Sequence, residues 1–219
     1  MRKITIATFV SLDGVMQAPG GPQEDPTGGF TFGGWLAPHF DEVMGKVVGE
    51  AFSKPFDLLL GRKTYDIFAA HWPHAPKDDP IGSLFDRITK YVATRNPDFQ
   101  LTWQNSQSLG PDAVAAVKKL KSEDGPDLLI QGSSDFVQSL LKEGLIDEFT
   151  VMITPAILGK GKRLFGEGIA PQGMRLLSTQ PSTSGVVIAK YVPDGAVKTG
   201  DFSYKNPSEA ELERRRNLT

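Results

Sequence analysis

The chain contains no cysteine among its 219 residues, which excludes disulfides, thiolate nucleophiles and cysteine-ligated metals and is compatible with a reducing compartment. Its histidines number three, His39, His71 and His74. With only His39 outside His71 and His74 and no cysteine to join them, no metal is expected and His71-Trp72-Pro73-His74 reads as a proline-bent loop. No stretch approaches the roughly 20 apolar residues of a membrane span. The apolar run behind Arg2-Lys3 is broken by Thr5 and Thr8 and leads to no small-x-small cleavage signal, so a cytoplasmic, unanchored protein is expected. A basic excess is missing as well: 24 Lys and Arg face 26 Asp and Glu, for a net charge of -2. Nucleic acid is therefore not an expected partner, since phosphate-backbone binding calls for a basic surface. The motifs G-x-S-x-G and H-E-x-x-H are absent, which leaves a hydrolase with little support.

What the chain does have is one local grammar used three times. Apolar Leu58-Leu59-Leu60 stops at Gly61 and delivers Arg62, Lys63, Thr64 and Tyr65, after which few helix breakers occur. Tyr91-Val92-Ala93 runs into Thr94-Arg95-Asn96, and Leu128-Leu129-Ile130 runs into Gln131-Gly132-Ser133-Ser134. Each reads as a buried strand ending in a donor-rich turn, two of them opening helices whose free amides favour an anion. Singly, each turn is an ordinary surface loop. Together they predict one crevice at the carboxyl ends of parallel strands, suited to a phosphorylated ligand.

The first strand, Ile4 to Leu12, places Ile4, Ile6, Val10 and Leu12 on one face and Ala7 and Phe9 on the other, the pattern of a central strand covered on both sides. Residues 14–34 hold seven glycines and three prolines and predict a long mobile loop of the kind that forms lids. A helix is predicted over 38–53, with Gly45 and Gly49 allowing close approach. Asp41 at its start either reaches into the crevice or favours the helix N-terminus, the structural reading weighing more. Helices are also expected over 81–89, 111–122 and 133–143, and strands over 90–93, 101–103, 127–131 and 145–154. Leu158-Gly159-Lys160-Gly161-Lys162-Arg163 lacks P-loop spacing and reads as a solvated basic turn, with contact to a substrate phosphate the lesser reading. Strands over 173–180 and 185–192 form a hairpin and 197–204 adds an edge strand. The expectation is an α/β fold with a doubly wound, mainly parallel sheet finished by antiparallel C-terminal edge strands, a single domain over 1–193 and a charged tail over 194–219.

Ser11-Leu12-Asp13-Gly14, Gly33-Gly34-Trp35, Leu60-Gly61-Arg62-Lys63-Thr64-Tyr65, Gln131-Gly132-Ser133-Ser134 and Leu158-Gly159-Lys160-Gly161 occur in an order that resembles the dihydrofolate reductase-like superfamily. More narrowly, the chain resembles stand-alone relatives of the C-terminal reductase domain of the bifunctional riboflavin-biosynthesis deaminase-reductase. The resemblance implies NADPH laid across the carboxyl edge of the sheet. Arg62, Lys63 and Thr64, beside Gly61, would meet phosphates, Thr94 and Arg95 the 2'-phosphate side, and Gly132 to Ser134 the pyrophosphate, with Gln131 in the same cofactor-binding turn and Ala7 near the nicotinamide. Ser133 departs from the paired glycines common there and narrows the approach. The implied activity is reduction of a small heterocyclic or carbonyl substrate, pterin or aminopyrimidine-like, the competing reading being a non-catalytic nucleotide or pterin-like ligand-binding protein. Carboxylates are what the sequence offers for proton delivery: Asp13, equally readable as a turn aspartate before Gly14, and then Asp41. A homodimer is expected.

Overall fold

The computed structural model describes residues 1–218. A single sheet carries the fold in the order β4-β3-β2-β5-β1-β6-β8-β7, built from β1 Ile4–Ser11, β2 Phe56–Gly61, β3 Lys90–Ala93, β4 Ser106–Ser108, β5 Asp127–Ile130, β6 Glu148–Thr154, β7 Met174–Pro181 and β8 Val187–Pro193. The helices are α1 Glu42–Ala51, α2 Arg62–His71, α3 Pro80–Arg87, α4 Ala113–Ser122, α5 Ser134–Lys142 and α6 Glu209–Arg216. Strands β1 to β6 pair in parallel, and β6-β8-β7 finish the sheet antiparallel.

Side chains alternate across the strands and so build cores on both faces. Ile4, Ile6 and Val10 of β1 pack with Val117 of α4 and Val137 and Leu140 of α5. Ala7 lies on the opposite face with Leu58, Tyr65 and Phe85, beside a second cluster in which Met44 and Val47 of α1 meet Met152 and Ile188. Leu12, expected inside, is exposed. The strand ends one residue earlier because the Ser11 hydroxyl accepts from the Val15 amide at 3.0 Å and donates to Asp13 Oδ1 at 2.6 Å, turning the chain.

Neighbouring strands β2 and β5 send the following chain to opposite faces. Tyr65 of α2 joins the cluster around Leu58, whereas α5 packs on the other side. Such a switch point opens a crevice at the strand carboxyl ends.

Residues 14–34 form the expected long loop, anchored at a few buried side chains, with 22–23, 26–29 and 31–32 exposed. Val15, Ala18 and Phe30 are buried with Trp35 and Leu36. Met16 N donates to Lys162 O at 2.8 Å and Leu164 N to Gly14 O at 3.0 Å, which ties this segment to the turn beyond β6. Helix α1 begins at Glu42 rather than 38, because Asp41 adopts extended angles and its side chain accepts from Met44 N. The strand expected over 101–103 forms instead as β4. Trp103 turns into the core, with Nε1 donating to Asp86 Oδ1 at 2.6 Å and its backbone N–H to the Tyr65 hydroxyl at 2.9 Å. Residues 197–204 form no strand; Phe202 and Tyr204 are exposed and the outer edge of β7 stays open. No helix among the described residues is long and apolar enough to cross a membrane.

Candidate active site

The site grows out of two adjacent strand ends. β2 and β5 lie side by side with Leu58 opposite Leu129, and α2 and α5 start directly after them with Gly61 and Ser133 as N-caps. Four of the six α-helices have side-chain caps: Asp41, Asp79, Asp112 and Ser208 accept from first-turn amides of α1, α3, α4 and α6. No side chain caps α2 or α5. Their first-turn N–H groups and positive dipole ends therefore converge, free of side-chain acceptors, on one place. The two turns also interlock. A Cβ at Gly61 would collide with the Ser133 hydroxyl, and one at Gly132 with the Thr64 hydroxyl. Glycine at both positions is what lets the helix ends come this close. Ser133 thus has its side chain against Gly61, a placement that leaves less of it to narrow the crevice than the sequence suggested.

A cavity of about 320 Å³ lies in front of these ends. On one side it is bordered by Lys63, Thr64 and residues 131–135, and by Glu24, Asp25 and Lys162 from two loops. Lys162 comes from the turn for which phosphate contact was the lesser reading, and its place beside Lys63 is what the fold adds. Its Nζ donates to Asp25 Oδ2 at 2.5 Å and to Thr27 Oγ1 at 3.0 Å, and Lys63 Nζ donates to the same hydroxyl at 3.2 Å. The supposed solvated turn therefore brings a second ammonium beside Lys63. Proximity to Lys162, aided by burial, holds the Lys63 pKa below its ordinary value. Burial opposes the charge on Lys162, but the hydrogen bonds it donates to Asp25 and toward Lys63 leave its pKa raised. Two cations held together beside two open helix ends make a receptor for a polyanion.

Glu24 borders the same region. Burial raises its pKa against the opposing amides of Gly20 and Gly21, which donate to Oε2 at 2.6 and 3.2 Å. The other oxygen accepts no hydrogen bond among the described residues. Sequence reasoning passed over it as one acid in a glycine-rich stretch.

Of the residues picked from the sequence, Ala7, Lys63, Thr64, Gln131, Gly132, Ser133 and Ser134 border the cavity, and Gly61 supports them from behind. Arg62, Thr94 and Arg95 lie outside it. Arg62 pairs with Asp66 at 2.6 Å and stands over the Phe99 ring. Thr94 Oγ1 accepts from Asn96 N at 3.1 Å, and Arg95 is exposed. Neither carboxylate favoured for chemistry borders the cavity. Asp41 accepts from Met44 N, Thr183 Oγ1 and Ser184 N at 3.0, 2.7 and 3.0 Å, and the Thr183 hydroxyl followed by the Met44 amide holds it well below the usual carboxylate range. Asp13 accepts from Leu158 N and Gly159 N at 3.0 and 2.9 Å and faces Arg163. The Ser11 hydroxyl and these amides keep it ionised.

The far side of the cavity is aromatic. Phe52 at the C-cap of α1, Phe68 of α2, Trp72 and Phe85 of α3 border it, with ring centroids 5.2–6.1 Å apart along the chain Phe52, Phe85, Trp72, Phe68. No cluster of three or more His, Asp or Glu side chains able to hold a metal occurs among the described residues.

Comparison with known proteins matches residues 2–188 to the family described as the RibD C-terminal domain. The uncharacterized Bacillus subtilis protein YyaP is 27% identical over 200 residues, covering 87% of this chain and 94% of that one. Among solved structures, a Shewanella sp. PV-4 protein provisionally assigned to riboflavin biosynthesis superposes with a TM-score of 0.65 at 20% identity, over 89% of this chain and 99% of the other. Dihydrofolate reductase from Enterococcus faecalis, complexed with NADP(H), gives 0.55 at 15% identity over 88% and 96%. The fold is that of the dihydrofolate reductase-like superfamily.

Proposed function

We propose that this chain, which belongs to the RibD C-terminal domain family, is an NADPH-dependent reductase of a small heterocyclic or carbonyl substrate. The observation that carries the reading is the meeting of two uncapped helix N-termini with Lys63 and Lys162, the donor set a dinucleotide pyrophosphate needs. A solved relative of the same fold holds NADP(H). In this assignment the first turn of α2, with Lys63 and Thr64, and the α5 end, with Gln131 to Ser134, bind the phosphates. Arg62, Thr94 and Arg95 lie outward of them on the side for a 2'-phosphate, and Ala7 leaves space for a flat ring over β1. When bound, the cofactor supplies the hydride. The protein orients the partners, excludes water through the anchored 14–34 loop, and offers Glu24 as the group that holds a proton at the cavity. Asp13 and Asp41, turned to other partners, serve as positioning residues in this assignment.

The chain is proposed to act in the cytoplasm as a homodimer, supported by the open β7 edge with exposed Leu176 and Leu177 and by the exposed arm through Phe202. Light scattering at micromolar concentration checks the assembly; a monomer refutes it. Enhanced NADPH fluorescence on mixing, followed by NADPH consumption with a panel of pterins, aminopyrimidines and quinones, tests the activity. Binding without consumption across the panel would favour a ligand-binding protein, and absence of binding would remove the reductase reading.

A further inference from the structure

Gln17 is 5% exposed, and its carboxamide joins the two loops that bring charge to the cavity. Nε2 donates to the Asp25 and Thr27 carbonyls, both at 2.9 Å, and Oε1 accepts from the Lys162 amide at 3.0 Å. These partners fix the orientation of the amide, because a flipped one would set its oxygen against two carbonyls and its NH2 against an N–H. The backbone of Gln17 is held as well, its carbonyl accepting from the Trp35 indole at 2.8 Å. Beside it the Met16 amide donates to the Lys162 carbonyl at 2.8 Å, and Val15 bridges Arg163. A regular antiparallel pair would return the Lys162 amide to Met16. It goes to the Gln17 side chain instead.

The residues gripped in this way are those that hold the lysine pair. Asp25 and Thr27 accept from the Lys162 ammonium, and the Thr27 hydroxyl accepts from Lys63 too. We propose that Gln17 is a positioning residue of the anion site, which sets where Lys162 stands against Lys63 and so the affinity for a diphosphate. The proposal rests on the reductase reading for the identity of that ligand, the cofactor pyrophosphate, and names the group that assembles its receptor. Both N–H donors of the carboxamide are spent on carbonyls, so none is left for a phosphate oxygen. A neutral amide suits the place: Lys or Arg has no acceptor for the Lys162 amide, and an ionised carboxylate has no donor for the two carbonyls and would compete for the ammoniums.

A double-mutant cycle on the full chain tests this, read with NADPH by fluorescence and with inorganic pyrophosphate by calorimetry. Gln17→Met keeps the length of the side chain and drops all three bonds. It should weaken both probes at least fivefold, and NADH by the same factor as NADPH. In a Lys162→Met background the same change should cost less than twofold, because the cation it positions is gone. Lys162 beside it is the first cause of the lowered Lys63 pKa, so ammonium NMR should find Lys63 titrating higher in Gln17→Met than in the wild type. If circular dichroism shows Gln17→Met to be unfolded, Gln17→Asn, an amide one methylene too short to span both loops, is read with the same expectations. A side chain that serves stability alone would lower the melting temperature and leave the affinity of the folded variant and the Lys63 titration unchanged. That result, or an equal loss in both backgrounds, overturns the proposal. The two probes separate it from the reductase reading. Pyrophosphate binding that follows the cycle in a protein that ignores NADPH sinks the reductase alone, whereas full NADPH affinity in the folded Gln17 variants sinks the role of Gln17 alone.

Discussion

Lys162→Met isolates the cation that the fold adds to the site. In the wild type its ammonium has three N–H donors, of which two are engaged, with Asp25 at 2.5 Å and Thr27 at 3.0 Å. The third, turned toward the neighbouring Lys63, is the one that a phosphate oxygen would take. Losing one charge-assisted hydrogen bond costs about 1.5–3 kcal/mol, which converts to roughly a ten- to 150-fold weaker Kd. Because the pyrophosphate is common to both cofactors, NADPH and NADH should weaken by the same factor. Lys162 is partly exposed, so raising the salt concentration should shrink the wild-type advantage. The competing explanation is that Lys162 merely ties the 14–34 segment to the turn beyond β6. Asp25→Asn addresses it, since the charged tie weakens while the ammonium stays. The anion reading expects NADPH affinity in Asp25→Asn to hold or improve, measured by fluorescence titration. An unchanged Kd in Lys162→Met, a loss confined to NADPH, or an equal loss in Asp25→Asn would refute the reasoning.

Arg62→Ala and Arg95→Ala should each lower the NADPH-to-NADH affinity ratio about tenfold or more, as expected for one guanidinium contact to the extra phosphate; an unchanged ratio in both displaces the proposed cofactor orientation. Glu24→Gln should reduce turnover by a factor of ~10² to 10⁴ with NADPH affinity preserved, and single-turnover kinetics at saturating NADPH reads the difference. Lys90 is fully buried, its Nζ donating to Phe85 O at 2.7 Å, and burial pushes its pKa down to about 8 from 10.5. Between those values the unfolded chain binds the proton that the folded one has released, so stability should rise with pH by up to about 3 kcal/mol; urea unfolding at both ends of the window should show that rise in the wild type and lose it in Lys90→Met.

How much of this was legible in the sequence depends on the distance over which each feature is assembled. The β2 strand and its turn were readable because Leu58 to Gly61 are all buried and the break to Arg62-Lys63-Thr64 is local. The Gly132-Ser133 turn was readable for the same reason, although its interlock with Gly61 and Thr64 is a tertiary fact. Lys162 was readable only within the lesser reading of its turn, as a phosphate contact without a place. It reaches Thr27 and Lys63 through hydrogen bonds from the far end of the chain, and locally its loop looks like any glycine-rich basic turn. For residues 14–34 the count of glycine and proline gave the loop, while its anchors Val15, Ala18 and Phe30 are scattered and carried no local signal. The aromatic cluster was hidden differently. Phe52 caps α1, Phe68 lies on α2 and Phe85 on α3, each fits a core position, and no local pattern shows that rings from separate elements pack on each other.

Asp13 shows how a residue singled out for one role can serve the site in another. A proton relay needs a carboxyl that spends time protonated, and hydrogen bonds from Ser11 first, then from Leu158 and Gly159, hold Asp13 below its ordinary pKa. Those amides belong to the turn that leads into Lys162. The Lys162 backbone is gripped too, its N–H donating to Gln17 Oε1 at 3.0 Å and its carbonyl accepting from Met16 N at 2.8 Å. The end of β1 and the residues after it therefore set where the second ammonium stands. Asp13→Asn replaces one acceptor oxygen with an NH2 that must face an amide donor, so one of the two bonds to Leu158 and Gly159 is lost and the turn loosens. The expected result is a several-fold weaker NADPH Kd with turnover preserved once the cofactor is saturating. A proton relay would give the opposite split, a large fall in turnover with NADPH affinity unchanged. A Kd equal to wild type in Asp13→Asn, with Lys162→Met weakened as expected, would show that the turn holds its place without this carboxylate and that the grip on Lys162 comes from Gln17 and Met16 alone.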